Sequence, residues 1–362
     1  MYQSRREKLL KLLKKDELDA FLVCDPLNIF YLTGFTGGDS WLLLSKNRSA
    51  LISDPRYDLT ITEEAPDVER VIRGPGTSMV DVVKRMTDTS MMVGVEAESM
   101  SIGEFSRLAM QTTCQWSPTS QLVESLREIK DKREIAAIRE AVRIAINGFE
   151  VLRLTLNSEM TEVDVRNELE YQMRRIGAQD CAFPTIAAIG PRSAIPHAVP
   201  SSKNVIRSGG LLLVDWGAKK NMYLSDLTRV LITTKNPTSF VRKIYNTVLD
   251  AQRTAFDMIR PGITGSEVDA AARAVIDRAG YGAMFNHGLG HGIGLFVHER
   301  GGLSRSSDKV LKKGMVVTVE PGIYLPGRFG VRIEDDVLLT DDGIEILSKR
   351  LAKDFDEVIV RC

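Results

Sequence analysis

The chain has 362 residues, 43% hydrophobic and 27% charged, so it is long enough for two domains with buried cores. Its 48 basic and 48 acidic side chains give a net charge of zero, which argues against a protein that binds nucleic acid or an anionic membrane. No apolar run of about 18 residues and no apolar signal core is present, so we expect a cytoplasmic protein outside the membrane.

The first third of the chain alternates predicted helices and strands, which is typical of a small α/β domain. The predicted elements are helices at 4–16, 77–86 and 102–111 and strands at 20–24, 41–44, 50–52 and 91–95. A longer helix is predicted over 132–154, where apolar residues recur at three- and four-residue spacing. The domain boundary is placed ahead of this helix, which gives domains 1–128 and 129–362.

The second domain contains a weak internal sequence repeat. Thr161 and Ser266 each precede a Glu-Val-Asp tripeptide and are predicted N-caps of two helices. After each helix an apolar strand ends in a carboxylate, Asp215 in one case and Glu320 in the other. The two tripeptides and the two carboxylates share one offset of 105 residues, which predicts two related half-domains. Coincidence is the alternative, because this tripeptide often starts helices.

Three of the four histidines lie within twelve residues, from His287 to His298, and glycines interleave with them. On a helix, the spacing of His287 and His291 would place both rings on one face. The alternating glycines disfavour a regular helix, so we predict loop and strand backbone packed closely around a site. The fourth, His197, lies in a proline-flanked loop. A structural role for the histidines is the alternative.

Four carboxylates accompany two predicted hairpins. Asp215 ends a strand, a turn is predicted at 217–221, and Asp226 follows, so both aspartates can face one point. The second half repeats this pattern. Burying carboxylates is costly without a cation, and oxygen-rich ligation with one nitrogen suits Mn²⁺, Co²⁺, Fe²⁺ or Zn²⁺. The predicted binuclear site consists of Asp215, Asp226, Glu320, Glu334 and His291. For any single aspartate, a solvated turn is the alternative.

Several short motifs occur in a fixed order along the chain. They are FPTI at 183–186, IPHA at 195–198, VDWGA at 214–218, SDLTR at 225–229, the histidine run at 287–298, VEPGIY at 319–324 and RIEDD at 332–336. Together they resemble the metallopeptidases that include aminopeptidase P, prolidase and methionine aminopeptidase. Segments 32–38 and 53–57 resemble the N-terminal domain of the aminopeptidase P and prolidase branch, which methionine aminopeptidases generally lack.

The resemblance implies roles for individual residues. It makes Asp215, Asp226, His291, Glu320 and Glu334 the five metal ligands, with none missing. It places His197 and His298 on the substrate side and His287 as a further pocket histidine, all three expected to be catalytic. Glu320 is expected to transfer a proton in addition to binding metal. Arg332 and Tyr324 are expected to contact the substrate.

The fold class implied is α+β: a small α/β N-terminal domain followed by a pseudo-twofold pita-bread catalytic domain. The implied activity is removal of the N-terminal residue from peptides with proline in second position. Two divalent metal ions per subunit, with Mn²⁺ foremost, and a homodimer are expected. An Xaa-Pro dipeptidase is the close alternative. A non-catalytic peptide-binding protein is the alternative of another class, and the complete ligand set argues against it.

Overall fold

The structure is a computed structural model that describes residues 1–208 and 210–360. It divides into two units, Met1–Arg127 and Glu128–Cys362. Both units combine helices with sheets. Within the described ranges, none of the helices has the length and apolar character needed to cross a membrane.

The first unit alternates helices and strands, as the sequence predicted. Its helices are α1 (Tyr2–Lys15), α2 (Pro26–Thr33), α3 (Asp58–Glu64), α4 (Met79–Met86), α5 (Ile102–Gln111) and α6 (Leu122–Arg127). Its strands are β1 (Ala20–Val23), β2 (Trp41–Ser45), β3 (Arg48–Ser53), β4 (Glu69–Ile72), β5 (Met92–Glu96) and β6 (Gln115–Thr119).

These strands form one mixed sheet in the order β4-β3-β2-β1-β5-β6. The β1–β2 and β2–β3 pairs are antiparallel, and the β3–β4, β1–β5 and β5–β6 pairs are parallel. Leu22 and Leu43 of the central strands pack in one core with Val83 of α4 and Leu108 of α5. The core therefore lies between the sheet and these two amphipathic helices.

The second unit contains longer helices and several small sheets. Its helices are α7 (Lys132–Thr155), α8 (Glu162–Ile176), α9 (Ser239–Met258) and α10 (Gly265–Arg278). Its strands are β7 (Asp180–Cys181), β8 (Ile186–Ile189), β9 (Leu211–Trp216), β10 (Ala218–Lys220), β11 (Tyr223–Leu224), β12 (Leu227–Ile232), β13 (Gly290–Gly292), β14 (Glu299–Leu303), β15 (Val316–Val319), β16 (Gly322–Leu325), β17 (Phe329–Arg332), β18 (Asp335–Leu339) and β19 (Ile344–Ile346).

The predicted repeat is visible in the order of these elements. The first half runs α7, α8, β8, β9, the β10–β11 hairpin and β12, and the second runs α9, α10, β13, β15, the β16–β17 hairpin and β18. In each half the three strands form antiparallel pairs, β8–β9–β12 and β13–β15–β18. The halves meet at an isolated bridge between Thr228 and Glu334.

The predicted N-cap at Ser266 is wrong. Helix α10 begins at Gly265, and Thr264 caps it: its hydroxyl accepts from the backbone of Glu267, and the Glu267 carboxylate accepts from the backbone of Thr264. This reciprocal capping box satisfies two backbone donors at once, which the Ser266 position would not do. Thr161 caps α8 as predicted. The caps therefore do not share the offset of the carboxylates.

The glycine-rich histidine run forms a strand between two loops, as its composition predicted. His291 is the middle residue of β13. A Cβ atom added at Gly290 would lie 2.0 Å from the carbonyl oxygen of Thr318, and one at Gly292 would lie 2.0 Å from that of Arg300. Glycine is required at both positions because the neighbouring backbones approach too closely for any side chain.

Candidate metal centre

Each half of the second unit supplies two carboxylates at equivalent places. Asp215 lies on β9 and Asp226 directly precedes β12; Glu320 directly follows β15 and Glu334 directly precedes β18. Backbone hydrogen bonds fix the positions of Asp226 and Glu334, which lie just outside their strands. The amide of Asp226 donates to the Asp336 carboxylate at 3.0 Å, and the amide of Glu334 donates to the Thr228 carbonyl at 3.1 Å.

The carboxylates from both halves meet at one histidine. Nε2 of His291 lies 3.6 Å from Oδ2 of Asp226 and 3.6 Å from Oε1 of Glu320. Asp226, His291 and Glu334 each offer a ligand atom, and these atoms lie within 4.8 Å of one another. The structure therefore brings together side chains that are more than 100 residues apart in the sequence.

Hydrogen bonding orients the His291 ring for ligation. Its Nδ1 lies 3.0 Å from the Gly292 carbonyl oxygen, so Nδ1 carries the proton and Nε2 keeps its lone pair. Burial, with a smaller contribution from the neighbouring His298, lowers the pKa of His291 to about 4. The ring is accordingly neutral at pH 7, the protonation state in which a histidine binds a metal.

The buried carboxylates repel one another. Burial, followed by the charges of neighbouring carboxylates, raises the pKa of Asp226 and of Glu334 well above the usual range. Burial raises the pKa of Glu320 to about 8, and the charge of Asp215 contributes in the same direction. The cluster therefore requires protons or cations to neutralise it at pH 7.

The residues present fit divalent cations. One oxygen of Asp215, Oδ1, is buried and has no hydrogen-bond partner, which leaves a carboxylate lone pair free to bind a cation. The donor set consists of carboxylate oxygens with one imidazole nitrogen, a combination suited to Mn²⁺, Fe²⁺, Co²⁺ or Zn²⁺. Carboxylates could bridge two such ions, which lie about 3.5–4 Å apart in known binuclear sites.

A buried arginine connects the cluster to the pocket. Nη2 of Arg332 donates to Oδ2 of Asp215 at 2.5 Å, and Nη1 donates to the Tyr324 hydroxyl at 2.8 Å. That hydroxyl lies 2.9 Å from Nε2 of His287, whose Nδ1 faces the Gly288 carbonyl. Both ring nitrogens of His287 therefore have protein partners, consistent with a pocket histidine rather than a ligand. Contact of Arg332 and Tyr324 with substrate stays a prediction.

The metal cluster lies at one wall of a cavity of about 750 Å³. His197 and His298 also line the cavity, and both are exposed. The rings of His298 and His291 meet edge to face with centroids 4.5 Å apart. Every residue that the sequence analysis assigned to the site lines this cavity, namely Asp215, Asp226, His291, Glu320, Glu334, His197, His287, His298, Tyr324 and Arg332.

Sequence analysis missed residues that support the ligands. The side-chain nitrogen of Gln252, on α9, donates to the carbonyls of Val319 and Ile333 at 3.0 Å each. These residues directly precede the predicted ligands Glu320 and Glu334, so one buried amide positions both. A single glutamine inside a helix carries no local pattern that would have identified it.

The metal-free protein should lose stability as the pH rises from 6.5 to 8. The raised pKa values of Asp226, Glu320 and Glu334 mean that the folded state holds protons that the unfolded chain has already released. A rise in pH through this window therefore favours unfolding. We expect the free energy of unfolding to fall by roughly 1–2 kcal/mol for each proton that the folded cluster retains, in denaturant titrations with a chelator present.

The histidines do not mask this effect. The pKa values of His287 and His291, lowered to about 4 by burial, make stability rise with pH, but between pH 4 and 6.5. Saturating Mn²⁺ should remove the part of this loss that comes from the cluster, and Glu320→Gln should reduce it. A smaller loss should remain, because burial raises the pKa of Glu96, outside the cluster, to about 7. A metal-free protein equally stable at pH 6.5 and 8 would show that these carboxylates are already ionised.

Two family models match the chain. The model of metallopeptidase family M24 matches residues 136–341, and that of the creatinase/prolidase N-terminal domain matches residues 5–129. The chain is 35% identical over 347 residues to an Xaa-Pro dipeptidase of Pyrococcus furiosus. The aligned region covers 96% of this chain and 98% of the relative.

Solved structures are similar over nearly the whole chain. An Xaa-Pro dipeptidase from Bacillus anthracis has a TM-score of 0.94 and 37% identity, covering 99% of this chain and 100% of that one. An X-Pro aminopeptidase from Thermotoga maritima has a TM-score of 0.88 and 36% identity with the same coverage. These matches confirm the predicted fold class, a small N-terminal α/β domain followed by a pita-bread domain.

Proposed function

The chain belongs to metallopeptidase family M24, and on that premise we propose that it is an Xaa-Pro dipeptidase with two divalent cations, Mn²⁺ foremost. The observation that carries the proposal is the buried cluster of Asp215, Asp226, His291, Glu320 and Glu334 at the wall of a cavity. Sequence analysis favoured an aminopeptidase over a dipeptidase. The similarity to Xaa-Pro dipeptidases of Pyrococcus and Bacillus now favours the dipeptidase.

The residues around the cluster suit amide hydrolysis. Divalent cations bound there would supply an activated water and polarise the scissile carbonyl. The prolyl nitrogen has no hydrogen, so it must receive a proton as it leaves. Glu320, whose carboxylate lies 3.6 Å from His291 at the cavity wall, is placed to accept a proton from the attacking water and to deliver it to that nitrogen. His197 and His298 face the cavity and can donate hydrogen bonds to the developing oxyanion.

The cavity wall suits an apolar ring in the substrate. Beside the polar cluster it is lined by Phe183, Pro184, Ile186, Pro196 and Val199. A pyrrolidine ring can bury its methylene groups against such a wall, and each buried CH₂ contributes about 0.8 kcal/mol. This surface supports a preference for proline beside the scissile bond.

The proposal is tested by three substrates after chelation and reloading with Mn²⁺. We expect Ala-Pro to be hydrolysed with a kcat/KM at least tenfold above that for Ala-Pro-Ala, and Ala-Ala to be a poor substrate. A higher kcat/KM for Ala-Pro-Ala would support the second candidate, an X-Pro aminopeptidase, which the similarity to the Thermotoga maritima enzyme favours. Lack of hydrolysis of all three would support a peptide-binding protein.

Arg166 is a candidate receptor for the carboxylate of a dipeptide. It lines the cavity from α8, and within residues 1–208 and 210–360 no carboxylate lies within ion-pair distance of its guanidinium. Its hydrogen bonds go to the exposed Asn167 amide oxygen, at 3.1 and 2.9 Å. Arg332, in contrast, is already paired with Asp215. A free substrate carboxylate would give Arg166 the partner it lacks.

Arg166→Gln should therefore lower kcat/KM for Ala-Pro by about 10- to 100-fold, the usual cost of losing a hydrogen bond to a charged group. The amide Ala-Pro-NH₂ should be a poor substrate and should respond little to the change. Arg175→Gln, on the same helix, is the matched control, because Arg175 stacks on Tyr171 and does not line the cavity. Equal losses for acid and amide would exclude carboxylate recognition by Arg166.

The cytoplasmic location and the homodimer predicted from the sequence remain proposals. Sedimentation velocity over a range of protein concentrations would test the dimer directly.

A further inference from the structure

A buried ion pair lies behind the histidine run. Asp269 and Arg273 face each other one turn apart on α10, with Nε to Oδ2 at 2.9 Å and Nη2 to Oδ1 at 2.8 Å. The Asp269 side chain is 1% exposed and the Arg273 side chain 7%. Neither residue lines the cavity of the metal cluster. Burying two charges costs free energy, and hydrogen bonds from the pair to other groups are needed to offset that cost.

The pair holds the backbone of the segment that carries His287. Arg273 donates to the carbonyls of Phe285 and His287 at 2.8 and 2.9 Å. Asp269 accepts from the amide of Leu289 at 3.1 Å. The carbonyl of that same Leu289 accepts from the amide of Glu320 at 2.8 Å. The backbone of one residue, Leu289, therefore connects the ion pair to a proposed metal ligand.

The loop of His197 has a similar support. The Glu162 carboxylate is completely buried and accepts from the amides of Ile189 and Ser201, which lie on either side of this loop. Glu162 also pairs with Arg192 at 3.0 Å, and Arg192 donates to the carbonyl of Val199. The carboxylate and the arginine thus hold the loop at three backbone positions.

The loop of His298 repeats the arrangement a third time. Glu299 pairs with Lys130 at 3.1 Å, and the side chains are 5% and 1% exposed. The same carboxylate accepts from the amides of Leu295 at 3.0 Å and Phe296 at 3.3 Å. Each of the three segments that carry the substrate-side histidines is therefore fastened by a buried carboxylate that is paired with a cation.

We propose that the pairs Asp269–Arg273, Glu162–Arg192 and Glu299–Lys130 are positioning pairs for the reaction, each fixing one histidine-bearing segment. This inference rests on the proposed function. In the first pair, the planar guanidinium of Arg273 holds a carboxylate and two carbonyls at once, which the point charge of a lysine cannot do. The pairs act through the histidines and the backbone of Leu289, and they do not touch the reacting atoms.

The test uses the full chain and the Asp269–Arg273 pair. The double variant Asp269→Leu/Arg273→Met removes both charges, so no uncompensated charge stays buried. Arg273→Lys is the second variant in case the first fails to fold. At saturating Mn²⁺ we expect kcat on Ala-Pro to fall 10- to 100-fold with KM changed less than threefold. Titration of the metal-free protein with Co²⁺, followed by its visible absorption, should show an affinity about tenfold weaker.

The control is Ile276→Ala on the same helix, a fully buried side chain with no role at the site. Its melting temperature should fall, while kcat and Co²⁺ affinity stay within twofold of the wild type. Wild-type kcat and Co²⁺ affinity in both pair variants would overturn the proposal, as would equal losses in Ile276→Ala. If the wild type does not cleave Ala-Pro, the proposed function fails, but the Co²⁺ titration still tests the positioning role.

Discussion

Asp226→Asn and Glu334→Gln should each abolish hydrolysis of Xaa-Pro substrates, with a loss of at least a thousandfold in kcat. The two carboxylates come from different halves of the second unit, and with His291 they offer ligand atoms within 4.8 Å of one another. We take them as the ligands that bridge both cations. Removing either charge should leave at most one cation bound tightly, and the binuclear chemistry should fail.

The fold should survive these substitutions. The amide isosteres keep the side-chain volume. They replace carboxyl groups whose pKa values burial raises well above the usual range. Metal content and kcat on Ala-Pro are the measurements. Asp250→Asn is the control, because this α9 carboxylate is 61% exposed and should leave both values unchanged. A variant that kept more than a tenth of wild-type kcat with two metals per chain would exclude the bridging assignment.

His298→Ala and His197→Ala should each lower kcat by two to three orders of magnitude, the usual cost of losing one oxyanion donor. Both residues line the cavity, and neither belongs to the ligand cluster of Asp226, His291 and Glu334. Partial burial, together with the charge of His197, lowers the pKa of His298. We therefore expect His298 to be neutral at pH 7 and to serve as a hydrogen-bond donor rather than as a cation.

Metal content separates the roles of these two histidines. We expect it to remain near two per chain in both variants, because the five proposed ligands are intact. The measurements are kcat on Ala-Pro and metal analysis of each purified variant. Loss of metal together with activity would move that histidine into the ligand set. An unchanged kcat would leave it as a structural residue of its loop.

Each predicted ligand adjoins a recognisable local pattern, which is why the sequence pointed to these residues. Asp215 and Glu320 each end an apolar strand, and the glycines around His291 indicated close backbone packing before the structure showed it. The predicted offset of 105 residues relates Asp215 to Glu320, whereas the helix caps Thr161 and Thr264 are 103 residues apart. Ser266 was chosen as a cap by analogy with Thr161, while the reciprocal hydrogen bonds of Thr264 and Glu267 determine the true start of α10.

The elements and residues that were missed lack such patterns. Strands β4 and β6 lie at the two edges of their sheet, so they are polar and partly exposed and resemble loops in the sequence. Gln252 and the Asp269–Arg273 pair act through hydrogen bonds to distant backbone groups. Nothing in the local spacing of a helical residue specifies which remote carbonyl it will meet.

The choice between dipeptidase and aminopeptidase also lay beyond the sequence patterns. Both activities are consistent with the same five ligands, so the metal cluster cannot distinguish them. The difference depends on whether the cavity binds the carboxylate of a terminal proline or accepts a further residue after proline. Arg166 is the residue whose place and lack of an acidic partner, within the described ranges, bear on that difference.

The most direct test of the central claim is an anomalous scattering measurement on crystals grown with Mn²⁺. We expect two anomalous peaks about 3.5–4 Å apart, surrounded by Asp215, Asp226, His291, Glu320 and Glu334, with Asp226 and Glu334 contacting both. A single peak, or peaks whose ligands exclude Asp226 and Glu334, would contradict the binuclear centre on which the proposed activity depends.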